Sequence, residues 1–80
     1  MQTILRLPGV LAARGDSRST YYKRISEGLA TRPVRLGPRA VGWPASEVAA
    51  LNAARIQGLS DEAIRALVVT LEAARSQAAA

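Results

Sequence analysis

DSRSTYYKRISEG, residues 16 to 28, has the two ends of a short helix and a dense set of hydroxyl, aromatic and cationic side chains between them. Ser17 is a residue type that caps a helix N-terminus, because its hydroxyl accepts a hydrogen bond from a free backbone N–H group. Gly28 is the residue type that ends helices in the left-handed conformation. The stretch therefore predicts a helix over residues 18 to about 27.

The predicted helix has two faces of different character. Helical spacing places Tyr21 and Ile25 on one side, which we expect to face the core. The opposite side is short, polar and cationic, so it suits insertion into a major groove, where side chains reach phosphates and base edges. Arg24 lies at the edge of this side, and a surface ion pair is its alternative role. The candidate DNA contacts on this helix are Arg18, Ser19, Thr20, Tyr22, Lys23 and Arg24.

The residues before this helix predict another short helix close to it. Pro8 is suited to a first helical turn, Val10 and Leu11 are expected to point inward, and Gly15 is placed to end the helix. Only about two residues then separate the two helices. A connection this short, with a cationic second helix, is typical of a helix-turn-helix.

RPVRLGPRAVGW, residues 32 to 43, predicts a β-hairpin. Apolar residues alternate with Arg35, and residues 37 to 39 supply turn chemistry. Trp43 ends the second alternating strand, and we expect it to be buried beneath the hairpin. Arg35 on the outer face and Arg39 at the tip are further candidate DNA contacts. The alternative for these two cations is an ordinary solvated face.

Two more helices are expected after the hairpin. The first covers residues 45 to about 57 and has Gly58 as its stop, and Ser60 is placed to cap the second. Acidic residues follow Ser60 directly, which complements the helix dipole. Same-helix ion pairs are expected between Asp61 and Arg65 and between Glu72 and Arg75.

The last helix carries the clearest helical periodicity in the chain. Its apolar stripe has two possible uses. The stripe packs back on the same domain and completes a small core, or it associates with a second copy, which would multiply the affinity for DNA. The residues of this stripe are Ile64, Leu67, Val68 and Leu71.

The composition excludes several classes of protein. The chain has no Cys and no His, which removes disulfides, thiol nucleophiles and the usual zinc and imidazole sites. Its acidic residues are scattered and not paired as in a hydrolase. We therefore expect no enzyme, no cofactor and no metal. No apolar run spans a bilayer and no signal peptide is apparent, so we expect a cytoplasmic protein without a membrane partner.

Positive charge is concentrated in the first half of the chain. Residues 1 to 43 hold eight Lys or Arg and two acidic residues, a net charge of +6, whereas residues 44 to 80 have a net charge of −1. A basic half is the footprint of a polyphosphate partner, because neutralised phosphates release counterions. A solvated basic surface is the alternative.

RLPGVLAARGDSRSTYYKRISEG followed by RPVRLGPRAVGWPASEV resembles the AlpA family of small phage-type regulators, which belongs with excisionases to the MerR-like winged-helix group. The resemblance implies a mostly α fold with a small β-hairpin. Residues 1–57 would form a winged helix-turn-helix domain. The C-terminal amphipathic helix of residues 58–80, expected from its own periodicity, lies beyond the usual family core. Residues 18 to 24 would be the recognition helix, and residues 35 to 39 the wing. Departures from the family pattern occur at residues 29 to 31 and at Asn52.

The same resemblance implies a DNA-binding protein of a mobile element or prophage. It would regulate transcription of integrase and excision genes, or act as an excisionase, a recombination directionality factor that bends DNA. These two roles share a fold. The expected partners are double-stranded DNA, further copies of the chain on DNA, and an integrase, in a nucleoid-associated setting in bacteria. The alternative is a protein-interaction module, an antitoxin or adaptor that docks its last helix on a partner. RNA binding and enzymatic activity are less favoured.

Overall fold

The computed structural model describes residues 3–78, which form four helices and a three-stranded antiparallel sheet. The predicted mostly helical fold with a small β-hairpin is confirmed, and the sheet has one more strand than expected. The elements are β1 (Ile4–Leu5), α1 (Leu7–Arg14), α2 (Arg18–Ser26), β2 (Val34–Gly37), β3 (Ala40–Pro44), α3 (Ala45–Ile56) and α4 (Asp61–Ala78).

The ends of α1 and α2 follow the local signals in the sequence. The Ser17 hydroxyl accepts a hydrogen bond from the backbone N–H of Thr20 at 3.2 Å, so Ser17 caps α2 as predicted. Gly15 and Gly28 adopt the left-handed conformation, with φ of 70° and 78°, and terminate α1 and α2. The connection is residues 15 to 17, one residue longer than expected, because α1 already ends at Arg14 and Gly15 is its cap. The two helices keep the short link of a helix-turn-helix.

The sheet is the predicted hairpin extended by a strand from the chain's start. β2 and β3 pair antiparallel, and β1 pairs with the other edge of β3, giving the order β1-β3-β2. Leu5 of β1 lies opposite Trp43 of β3. The pairing of β2 and β3 is irregular between Arg35 and Gly37, and the intervening Leu36 is exposed. β1 is only two residues long, too short for an alternating pattern to indicate it.

The main core is built around Trp43, which is fully buried as predicted. Its ring packs edge-on against Tyr21 of α2, with centroids 5.4 Å apart. Its indole N–H donates a hydrogen bond to the carbonyl of Thr31 at 2.9 Å. Val10 of α1 and Val48 of α3 complete the same cluster. One side chain therefore holds together the sheet, α2 and the loop that precedes the hairpin.

Both departures from the family pattern have a structural role here. Residues 29 to 31 are buried, and they fill the space between the two cores. The side-chain amide of Asn52 donates a hydrogen bond to the carbonyl of Ala13 at 3.0 Å, which joins α3 to the end of α1. A polar residue is accommodated at this position because a helix-terminal carbonyl needs a donor.

The apolar stripe of α4 packs inside the chain. Ile64 and Val68 are buried against Leu29, Leu51 and Ala54 in a second hydrophobic cluster, and the remaining two stripe residues are partly buried against it. The stripe thus completes the core of its own chain. Ile64 and Val68 are closed to a second copy, whereas Leu67 and Leu71 are only partly buried, and self-association through this stripe stays a prediction. The predicted boundary between residues 57 and 58 falls in the turn between α3 and α4.

Polar contacts of α4 cross to other elements. The guanidinium of Arg75 makes two hydrogen bonds to the carboxylate of Glu47, at 2.8 and 2.7 Å, and a third to the carbonyl of Arg32. Glu72 accepts hydrogen bonds from the backbone and side chain of Arg32. Arg65 donates to the carbonyl of Glu27 at 2.8 Å. The expected pairs of Asp61 with Arg65 and of Glu72 with Arg75 are therefore wrong, because these arginines find better partners across the fold.

Within residues 3–78 no helix is long and apolar enough to cross a membrane.

We predict that Gly42→Ala destabilises the fold by about 1–3 kcal/mol, because a methyl group there would overpack the sheet. A Cβ on Gly42 would lie 2.5 Å from Ile4 Cγ2 and 3.0 Å from the Leu5 carbonyl oxygen. Gly9→Ala is the matched control, since its nearest neighbour would be 3.9 Å away and alanine favours a helix. Urea unfolding should show a loss for the first variant and none for the second. Equal stability of both variants would contradict this packing.

We also predict a loss of stability at high pH that depends on Tyr21. Burial raises the pKa of Tyr21 to about 12, from its usual value near 10 in an unfolded chain. The folded state therefore keeps this proton longer, and its advantage is full below pH 10 and lost as the pH rises to about 12. The free energy of unfolding should fall by about 2 kcal/mol across this window. In Tyr21→Phe that part of the fall should be absent, and an unchanged profile would contradict the assignment.

Candidate nucleic-acid interface

The outward face of α2 presents an exposed group of polar and cationic side chains. Arg18, Ser19, Tyr22 and Lys23 are all exposed, whereas Tyr21 of the same helix is buried. The Arg18 guanidinium lies 5.9 Å from the centre of the Tyr22 ring, which places a cation beside an aromatic platform. The structure brings these four predicted residues together. Their contact with DNA stays a prediction.

Thr20 and Arg24 have partners within the chain. The hydroxyl of Thr20 accepts a hydrogen bond from the Ser17 hydroxyl at 2.9 Å, so it belongs to the cap of α2. Nε of Arg24 lies 3.5 Å from a carboxylate oxygen of Asp16, and the side chain is only partly exposed. The alternative role of Arg24 as an ion-pair residue is therefore the one that this structure shows. Both residues lie at the edge of the outward face.

Three exposed cations lie on or beside the hairpin. Arg35 and Arg39 are exposed as predicted, and Arg39 is in the turn between β2 and β3. Arg6 adds a cation that the sequence patterns did not single out. Its Nε donates a hydrogen bond to the carbonyl of Val41 at 3.0 Å, which holds Arg6 against the hairpin. Only its position in the basic half of the chain could have indicated it.

A cluster of charges lies behind the helix-turn-helix connection. The Asp16 carboxylate, 6% exposed, is 3.7 Å from Arg14, 3.5 Å from Arg24 and 3.9 Å from Arg55. Burial, and then the nearby charge of Arg55, lower the pKa of Arg14. These residues come from three helices and the connection, so no sequence spacing indicates the cluster. Among the described residues no three His, Cys, Asp or Glu side chains are arranged to bind a metal ion.

The model of the family described as Prophage CP4-57 regulatory protein (AlpA) matches residues 3–56. The chain belongs to the AlpA family. It is also similar to "Uncharacterized protein ORF88" of Enterobacteria phage P4, with 44% identity over 57 residues. The matched region is 71% of this chain and 65% of that relative. No solved structure gives a significant match.

The AlpA family match covers the elements from β1 to α3 and leaves α4 outside. The matched region contains the α2 face, the hairpin cations and the Asp16 cluster. α4 adds the second hydrophobic cluster to this AlpA core. The predicted membership of the AlpA family is thus confirmed.

We predict that Asp16→Asn in this AlpA-family chain lowers the free energy of unfolding by about 3 kcal/mol. The substitution keeps the shape of the side chain and leaves the Arg14 guanidinium, whose side chain is 1% exposed, without its counter-charge. Glu62→Gln, an exposed acidic residue at the start of α4, should change stability by less than about 1 kcal/mol. Urea unfolding of both variants measures the difference. A loss no larger for Asp16→Asn than for Glu62→Gln would show that the cluster does not stabilise the fold.

Proposed function

We propose that this chain is a sequence-specific regulator that binds double-stranded DNA through the outward face of α2. The observation that carries the proposal is the exposed group of Arg18, Ser19, Tyr22 and Lys23 on one short helix. The membership of a prophage regulatory family supports the same conclusion. A binding protein needs no catalytic group, and its specificity would come from hydrogen bonds to base edges.

The structure of α2 suits a recognition helix. Ser19 is small, so the backbone can approach the floor of a groove closely, while Arg18 and Lys23 are long enough to reach phosphates or bases beside it. The helix is held from behind by Tyr21, which is buried against Trp43. Because the helix is fixed in place before binding, little order must be gained on DNA.

The hairpin would act as the wing of a winged helix-turn-helix. Arg35 and Arg39 are exposed on it, and Arg6 is attached to β3. Two cations on a small hairpin and a third held against it can neutralise phosphates beside the groove that α2 enters, or reach into a neighbouring minor groove. Two contact regions would lengthen the recognised site and fix the register of α2.

The biological role proposed for this chain is that of a regulator of integrase and excision genes in a mobile element. The excisionase role is its close variant, and bending of the bound duplex would distinguish it. Assembly of several copies along DNA would favour bending, although Ile64 and Val68 of the α4 stripe are already buried within the chain. An adaptor that docks this stripe on a partner is not favoured, for the same reason.

The proposal is tested by removing cations from the α2 face. Arg18→Ala and Lys23→Ala should each weaken binding to the duplex flanking the chain's own gene by about 1–3 kcal/mol, measured by fluorescence anisotropy. Each variant should unfold at the same urea concentration as the parent, because both side chains are exposed. Arg55→Gln is the control, since it removes the same charge from α3, outside the α2 face.

Two results would decide against the α2 assignment. One is unchanged binding by the Arg18→Ala, Lys23→Ala double variant. The other is an equal loss in Arg55→Gln, which would show that only the total charge of the chain matters.

A further inference from the structure

A cavity of about 230 Å³ lies between the end of α1, α2 and the turn that joins α3 to α4. Its lining includes the guanidinium groups of Arg14, Arg24 and Arg55, together with Leu59 and Asp61. A second opening of about 270 Å³ shares Arg14 and Arg55 with it. The first cavity is therefore walled by three of the chain's eleven cations.

The charges around this cavity do not balance. Three guanidinium groups surround one carboxylate, that of Asp16, at distances of 3.5 to 3.9 Å. Asp61 lines the same cavity, but it takes part in none of the ion pairs found among residues 3–78. Counting Asp16 and Asp61 against the three arginines leaves one positive charge in excess, which attracts a further anion to the cavity.

Several donors of the cluster have no hydrogen-bond partner. Nε and Nη1 of Arg14 and Nε of Arg24 are buried without hydrogen bonds, and so is the Asp16 carboxylate oxygen that the two Nε atoms face at 3.7 and 3.5 Å. The two Nε atoms are thus ion-paired with Asp16 at distances too long for good hydrogen bonds, and Nη1 of Arg14 is left without an acceptor. Arg24 and Arg55 are partly exposed, so they can hold an anion directly, while buried Arg14 adds its charge from behind.

The surroundings of the cavity indicate what kind of anion it accepts. Ile56, which lines the adjoining opening, is 87% exposed, and Leu59 is 42% exposed. Aliphatic side chains at the mouth of a cationic cavity match a protein segment better than the phosphates of DNA. At roughly 100° per residue, Ser19 and Arg24 are separated by about 140° around the axis of α2. The cavity therefore lies on a different side of α2 from the proposed DNA face.

We propose that this cavity is a docking site for an acidic segment of a protein partner. A carboxylate of that segment pairs with Arg24 and Arg55, and an adjacent aliphatic side chain covers Ile56 and Leu59. The chain then has two separate surfaces, one for DNA on α2 and the hairpin, and one for protein at the α3–α4 turn. The argument for the second surface does not depend on the first.

The test is an NMR titration of the full chain with hexanoate, which joins a carboxylate to an aliphatic tail. Hexanamide has the same tail without the charge, and inorganic phosphate supplies an anion without the tail; ionic strength is held constant. Hexanoate should shift the Nε–H signals of Arg24 and Arg55 saturably and more strongly than either comparison compound. Arg55→Gln should weaken hexanoate binding at least about tenfold, as expected for the loss of a charge-assisted hydrogen bond.

Arg39→Gln is the matched control, because it removes the same charge from the hairpin turn and should leave hexanoate binding unchanged. Arg24→Gln repeats the test if Arg55→Gln does not fold.

Equal shifts by hexanoate and hexanamide, or equal losses in the Arg39 and Arg55 variants, would overturn the proposal. Stronger binding of phosphate would make the cavity a phosphate site instead, and shifts that depend only on protein concentration would assign it to a second copy. The DNA proposal is tested separately, by the DNA affinity of Arg18→Ala and Lys23→Ala. None of the hexanoate results bears on that affinity, so the two proposals fail separately.

Discussion

The burial of Trp43 is the constraint on which the other elements depend. Its ring packs against Tyr21, and its indole N–H is satisfied by the carbonyl of Thr31, so a large aromatic group is buried without an unpaired donor. The contact fixes α2 against the sheet and brings the loop of residues 29 to 31 into the core. Because Tyr21 faces Trp43, the opposite side of α2 is turned to solvent. The position of the candidate recognition face thus follows from one hydrophobic contact.

Local signals were sufficient to predict most of the helices and the hairpin. Ser17 and Gly28 delimit α2 through interactions with residues a few positions away, and such interactions are visible in a sequence. Contacts between distant residues were not visible. β1 is too short to have a periodic pattern, and Arg75 pairs with Glu47 on another helix in place of its neighbour on α4. The use of the α4 stripe was open for the same reason, since an apolar face does not indicate what covers it.

The candidate site could be predicted in part. Arg18 and Lys23 are both exposed. The helical period separates Lys23 from the core residues Tyr21 and Ile25, whereas Arg18 precedes Tyr21 by three positions and is exposed at the start of α2. Arg24 was grouped with them by charge, but in the fold it faces Asp16. A charge pattern along one helix gives the direction of each side chain only approximately, and it does not show which acidic residue lies nearby in space. The division of the basic residues into an outward group and a group around Asp16 is therefore visible only in the folded chain.

Binding of DNA by the α2 face is the central claim, and a salt series tests it most directly. Fluorescence anisotropy would compare the duplex flanking the chain's own gene with a scrambled duplex of the same length and composition. We predict tight binding that prefers the native duplex and falls steeply with salt, because several Lys and Arg residues would displace counterions from phosphates. Equally weak binding to both duplexes would contradict the account and leave the basic half of the chain as general surface charge.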